Sequence, residues 1–252
     1  MKLATSIAEV ISILDEIIVL EKNNNSALAF FPVLYNNVTK RIRDGILAGE
    51  FEDNPRMERL DVLFANRYLE AYYNYKKGNE ITESWRLSFE AAQDEKLLIL
   101  QHILMGINAH INLDLGIVAS DTVGKGQDLE PFKNDFNKIN DILSTMVDGM
   151  QASINSVSPL FVLLELVGKG KEDKLAAFSI SIARDGAWLF AQEYHSATDA
   201  KAQILKRDAI IGLLALKLSR VKSKFLAFTV GIIRFFESKD VAKVINALEK
   251  AS

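Results

Sequence analysis

The chain has 252 residues, 49% of them apolar and 25% charged, with a formal net charge of −3. That balance is ordinary for a soluble globular protein, and with no basic excess it argues against nucleic acid as a partner. Cysteine is absent, which excludes disulfides, thiolate nucleophiles and cysteine-based zinc or iron–sulfur centres.

The first predicted element is an amphipathic helix over 3–21. Glu9, Asp15 and Glu16 interrupt its apolar positions and no small-residue cleavage site follows, so it does not read as a signal peptide, and the expected location is the cytoplasm. Helical periodicity then predicts helices near 31–49, 55–76, 80–92, 94–118, 131–155, 159–167, 172–195, 199–218, 222–237 and 239–250. Asn54-Pro55, Glu130-Pro131 and Ser158-Pro159 read as helix starts, with proline at the first helical position. Pro32 falls in a first turn, and Asp94-Glu95 puts negative charge at the positive end of the next helix. The intervening breaks, such as Asn23-Asn24-Asn25 and Lys77-Gly78-Asn79, are too short for domain linkers. Phe225 to Ile233, the longest apolar run near the C-terminus, is ended by Arg234. It is far short of the roughly 20 residues that span a bilayer, so no transmembrane segment is expected.

The expected fold is all-α: a single multi-helix domain over residues 1–252, about ten helices around a buried central helix near 94–118. The alternative sets off a C-terminal helical subdomain from about residue 200.

That central helix carries the candidate site. Leu97 to Val118 is apolar nearly all round, yet Met105 to Leu115 contains Asn108, His110, Asn112 and Asp114. Buried polar groups are costly unless paired, so each needs a reason. At about 100° per residue, Gln101, Asn108 and Asn112 fall within about 40° of one another. His110 and Asp114, an i,i+4 pair, lie on a face roughly 160° away. In a functional reading Asp114 accepts from one nitrogen of His110, and the other nitrogen meets a substrate. In a structural reading the pair is a satisfied core contact. Asn108 and Asn112 would then hold irregular backbone, as groups that both donate and accept.

The string Gly106-Ile107-Asn108-Ala109-His110-Ile111-Asn112-Leu113-Asp114-Leu115 resembles the hallmark of an uncharacterised, mainly bacterial family of all-helical proteins. Tyr35 to Asp44, Phe51-Glu52-Asp53, Met57 to Asp61, Phe64-Ala65, Ala183-Arg184 and Ala187-Trp188 are similar to it too. The resemblance covers roughly residues 30–195. Many relatives have proline after the Asp-Leu pair where this chain has Gly116, so the helix end is expected to differ. The resemblance implies the fold and raises the weight on His110 and Asp114; it names no substrate.

Asp61 sits on the apolar stripe of Met57, Leu60, Phe64 and Tyr68, either as a pocket acid or as a cap for a neighbouring element. Arg184 and Trp188 share one helix face with His195. Arg184 suits a buried carboxylate or an anionic ligand group. Tyr68, Tyr72, Tyr73 and Tyr75 with Trp85 and Phe89 either line an apolar cleft or form core. No Walker loop, Gly-x-Ser-x-Gly elbow or Glu-x-x-His repeat is present.

The lead expectation is a small-molecule enzyme with an internal pocket. His110 and Asp114 are its catalytic pair; Asp61, Arg184, Trp188, Asn108 and Asn112 are the substrate-binding candidates. The cofactor is unknown. A single metal on His110, Asp114 and further carboxylates has weak support in the donor set. The partner is a small molecule of apolar character. The alternatives are a non-catalytic carrier of an apolar ligand, and a scaffold that forms oligomers through the C-terminal helices.

Overall fold

The computed structural model describes residues 2–160, 163, 179–220 and 224–250. Among them the chain is helix and turn, with no strand. In chain order the helices are α1 (Ile7–Asn23), α2 (Phe30–Leu47), α3 (Asn54–Lys76), α4 (Glu83–Ala91) and α5 (Ile99–Ala109). A π-helical turn, His110–Asp114, joins α5 to α6 (Leu115–Val123). Then come α7 (Lys133–Val157), α8 (Ile180–Ser196), α9 (Ala200–Ser219), α10 (Lys224–Phe236) and α11 (Val241–Leu248). The helix expected over 159–167, and the beginning of that over 172–195, lie almost wholly outside the described residues.

Local chemistry explains the starts. Ser6, Asp53, Ser179, Asp199 and Asp240 each accept from a backbone N–H in the first turn of the helix they precede. Asp53 is therefore the cap of α3, and Asn54 is already helical. Pro131 lies in a 3₁₀ turn, Glu130–Phe132, that leads into α7, while Ser158 is the C-terminal cap of α7. Asp94-Glu95 lies in a turn ahead of α5, which begins only at Ile99.

Three further helix starts are satisfied from a distance. Buried Asp135 of α7 accepts from the backbone N–H groups of Glu52 and Asp53 ahead of α3. Buried Asp208 of α9 accepts from Glu83 and Ser84 at the start of α4. Glu237 accepts from Ile99 at the start of α5. A carboxylate on these orphan N–H groups also faces the positive end of the helix dipole.

The segment Ile99–Val123 is long and apolar enough to cross a bilayer, but 89% of its most apolar stretch is buried inside the fold. It is the core helix: α5 packs on α2, α4 and α9, and α6 packs on α3 and α8. The α6–α8 contact is close because of Gly116, where a Cβ would stand 2.7 Å from Phe190 Cδ1 and 2.8 Å from the Ala187 carbonyl oxygen. Backbone cannot yield as a side-chain tip can. Gly116→Ala is thus expected to destabilise by about 1–3 kcal/mol in thermal or denaturant unfolding. Gly231→Ala, which meets nothing within 4 Å, should stabilise by about 0.5–1 kcal/mol through helix propensity.

The aromatic cluster is core: Tyr68, Tyr72 and Trp85 are each 1% exposed. The C-terminal helices leave apolar side chains in solvent, among them Leu205 and Leu213 of α9 and Phe225, Phe228 and Phe235 of α10.

Candidate functional site

The π-helical turn sits on the polar string. The Leu115 N–H reaches back five residues to the His110 carbonyl oxygen, so the turn holds one residue more than an α-turn. Angles drawn for a continuous α-helix therefore do not carry across His110–Asp114.

Asp114 is fully buried and already committed. Arg67 Nε donates to its Oδ1 at 3.0 Å, and Trp85 Nε1 donates to its Oδ2 at 2.7 Å. His110 Nδ1 stands 4.0 Å from Asp114 Oδ2, too far for a hydrogen bond. The expected orientation of His110 by Asp114 is therefore corrected: two donors from α3 and α4 occupy the carboxylate. Burial pushes the Asp114 carboxyl upward, but the Arg67 charge, the nearby His110 and the Trp85 hydrogen bond outweigh it and hold it below its ordinary value.

His110 is instead set by rings. Phe64 lies parallel to it at 3.5 Å between centroids, and Tyr35 meets it edge-on at 4.4 Å. Phe31 is a further edge contact at 5.4 Å. This last ring fills the space above Gly106, where a Cβ would come within 2.5 Å of Phe31 Cγ. Both ring nitrogens of His110 are buried without a hydrogen-bond partner. Burial lowers its pKa, so the imidazole is neutral at pH 7.

These rings form one wall of a cavity of about 90 Å³ lined by α2, α3, α5, the π turn, α6, α7 and α8. Among the described residues its lining is apolar, including Leu34, Ile42, Leu60, Ile139 and Ile180, except for Asp61, His110 and Arg184 and the Tyr35 hydroxyl. The structure thus brings together three residues that the sequence singled out separately. Asp61 is 7% exposed and its Oδ2 has no partner; the Tyr35 hydroxyl is likewise unpartnered. Burial, with Glu58 adding to it, raises the Asp61 pKa to about 8. Arg184 is 3% exposed; it donates to Asn140 Oδ1 and to the Phe136 carbonyl. Burial lowers its pKa to about 9, which leaves it charged at neutral pH.

The remaining candidates lie elsewhere. Asn108 Nδ2 donates to the Ile211 carbonyl, and Asn112 Nδ2 donates to Asn108 Oδ1, so the two amides tie the core helix to α9. Gln101 does the same at the Leu218 carbonyl. Trp188 packs on Phe136, with centroids 5.0 Å apart, and does not line the cavity. His195 bonds Ser120 Oγ and the Gln127 carbonyl, bracing the turn after α6. Among the described residues no three His, Asp or Glu side chains are grouped to hold a metal ion. Sequence reasoning missed Tyr35 and Arg67. Tyr35 sits in the family-like Tyr35–Asp44 segment, the one available signal; nothing local marks Arg67.

A larger concavity, about 1190 Å³, opens elsewhere beside His102, Glu21 and Arg234. It is an open groove, and three of its charges are paired within the fold, Lys76 with Glu21 and Arg234 with Glu237. The groove also has atoms without a hydrogen-bond partner, Glu21 Oε2, His102 Nδ1 and Arg234 Nη1, but its wall is largely polar, whereas the smaller cavity holds its unpartnered atoms within an apolar wall.

A family model described as "Family of unknown function (DUF5995)" matches residues 7–221. No curated protein and no solved structure matches the chain.

Proposed function

The chain belongs to that family of unknown function, and from this premise we propose that it binds a small, largely apolar molecule in the 90 Å³ cavity and acts on it by general acid/base catalysis. One observation carries the reading. Asp61 from α3 and His110 from the π turn meet in one apolar cavity with polar atoms that no protein group satisfies. A carboxyl with a pKa of about 8 is still protonated at neutral pH, yet gives up its proton with little cost. Asp61 is therefore the acid. His110, neutral and with two free ring nitrogens, is the base that takes a proton from the bound molecule. Asp114 does not orient it; Phe64 and Tyr35 do, through ring packing.

The test is proton exchange. Small molecules that copurify with the protein are identified by native mass spectrometry, then incubated in D₂O with fresh protein and followed by NMR. Where none copurifies, a panel of small apolar acids, alcohols and ketones is used. Wild type should incorporate deuterium at one position. Asp61→Asn and His110→Gln should each slow this by about 10²–10⁴-fold while remaining folded. Equal exchange in wild type and both variants overturns the catalytic reading.

The apolar wall favours a second reading, a carrier that holds the same ligand without chemistry. It predicts binding in wild type and in His110→Gln alike, and no exchange in either.

A further inference from the structure

We infer that the molecule held in this cavity is a short-chain organic acid in its anionic form, its carboxylate gripped by Arg184. The inference rests on the cavity being a ligand site, and it adds the ligand's class.

Arg184 is a buried cation whose direct contacts are neutral, with the charge of the neighbouring Asp185 acting on it only at longer range. Its Nε and Nη2 donate to Asn140 Oδ1 and the Phe136 carbonyl, and the guanidinium lies 4.5 Å over the Phe136 ring. Among the described residues it makes no ion pair, although buried charges are normally paired. Among the described residues the only carboxyl on the cavity wall is Asp61, which burial keeps protonated at neutral pH. Among the described residues, then, no ionised carboxylate on the cavity wall pairs with Arg184.

A purely structural brace between α7 and α8 accounts for two of the guanidinium's five N–H donors. The others remain for a ligand among the described residues. The planar fork matches a carboxylate, and charge-assisted bonds of this kind strengthen in a dry site. The rest of the wall offers aliphatic and aromatic surface, so the body of the ligand is a hydrocarbon. The cavity's 90 Å³ is well below the roughly 300–1,000 Å³ of ordinary small-molecule sites, which limits that body to a short chain. A phosphate ester or a sugar would leave polar groups unsatisfied against Leu34, Ile42 and Leu60.

The experiment compares butyrate with butan-1-ol by isothermal titration calorimetry at pH 7. The two share the hydrocarbon chain and differ in the charged end. Wild type should bind butyrate about 10- to 100-fold more tightly than the alcohol. Arg184→Met, which keeps the stem and loses the charge, should still bind the alcohol but lose the preference. The wild-type ratio needs no variant, so it decides even if Arg184→Met fails to fold. Equal binding of the two probes, or a preference retained in Arg184→Met, overturns the assignment to a carboxylate while leaving the cavity as a ligand site. Failure of both probes to bind wild type overturns the ligand-site reading itself, and this inference with it.

Discussion

Asp61→Asn is expected to make the protein more stable at neutral pH, by about 2–4 kcal/mol in denaturant unfolding. The sign follows from linkage. In the unfolded chain the Asp61 carboxyl titrates at its ordinary value of 3.8, whereas burial raises the folded value to about 8. Below pH 3.8 both states are protonated and the group costs nothing. As the pH rises toward 8, the unfolded state ionises and the folded state does not, so stability is lost across that whole window. At 1.36 kcal/mol per unit the loss reaches about 4 kcal/mol at pH 7. Asparagine cannot ionise in either state and escapes it. The unsatisfied amide that replaces the unsatisfied carboxyl is close to neutral, since Asp61 Oδ2 has no partner to lose. The measurement is unfolding of wild type and variant at pH 4, 7 and 9. Their difference should be small at pH 4, grow to pH 8 and level off above it. Glu237 and Asp121, also raised by burial, titrate alike in both proteins and cancel. A variant less stable than wild type at pH 7 would make Asp61 a structural cap, the bland reading of a carboxylate on an apolar stripe. A gain in stability combined with loss of proton exchange is the signature of a group kept for function.

The helices were readable because each needs only its own amphipathic period and start signals. Residues 55–76, read from Pro55 and an apolar stripe, correspond to α3 at Asn54–Lys76. Within α5, before the π turn, the polar face was readable for the same reason. Gln101 and Asn108 do face one way, and both reach carbonyls of α9. What spacing could not show is competition from distant residues. Asp114 stands four residues after His110, yet Trp85 and Arg67, from two other helices, claim its oxygens. Likewise Asp135, Asp208 and Glu237 look like surface charges in the sequence, but tertiary contact turns them into caps for α3, α4 and α5. The candidate site shows both sides of this. Asp61, His110 and Arg184 each stood out as a polar residue in apolar surroundings, and that local signal is reliable because burial is what perturbs such groups. Their meeting at one cavity, and the part Tyr35 plays in it, depends on packing among α2, α3, α7 and α8 that no single helix encodes.

Removing the carboxylate of Asp114 should have the opposite effect to removing that of Asp61. Asp114→Ala leaves the Arg67 charge, with a side chain only 29% exposed, and the buried Trp85 N–H without an acceptor. Breaking a buried pair in this way costs about 3–5 kcal/mol. Trp85→Phe, which removes one neutral donor and leaves the Arg67–Asp114 pair, should cost less, about 1.5–3 kcal/mol. The pH dependence also reverses. Burial alone would raise the Asp114 carboxyl, but Arg67, the nearby His110 and the Trp85 hydrogen bond hold it below the ordinary value of 3.8. Its stabilising contribution is therefore complete above that value and lost as the pH falls through the lower, folded one. Wild type should lose stability on that acid side, and Asp114→Ala should not share this part of the loss. Unfolding midpoints between pH 2 and pH 7 measure it. Because His110 Nδ1 lies 4.0 Å from this carboxylate, no hydrogen bond to His110 is lost. Folded Asp114→Ala, studied well below its melting temperature, should then keep proton exchange within about 10-fold of wild type, against the 10²–10⁴-fold loss expected for Asp61→Asn. If exchange instead falls as far as it does in Asp61→Asn, then Asp114 and His110 act as a catalytic pair after all, drawn together when the ligand binds.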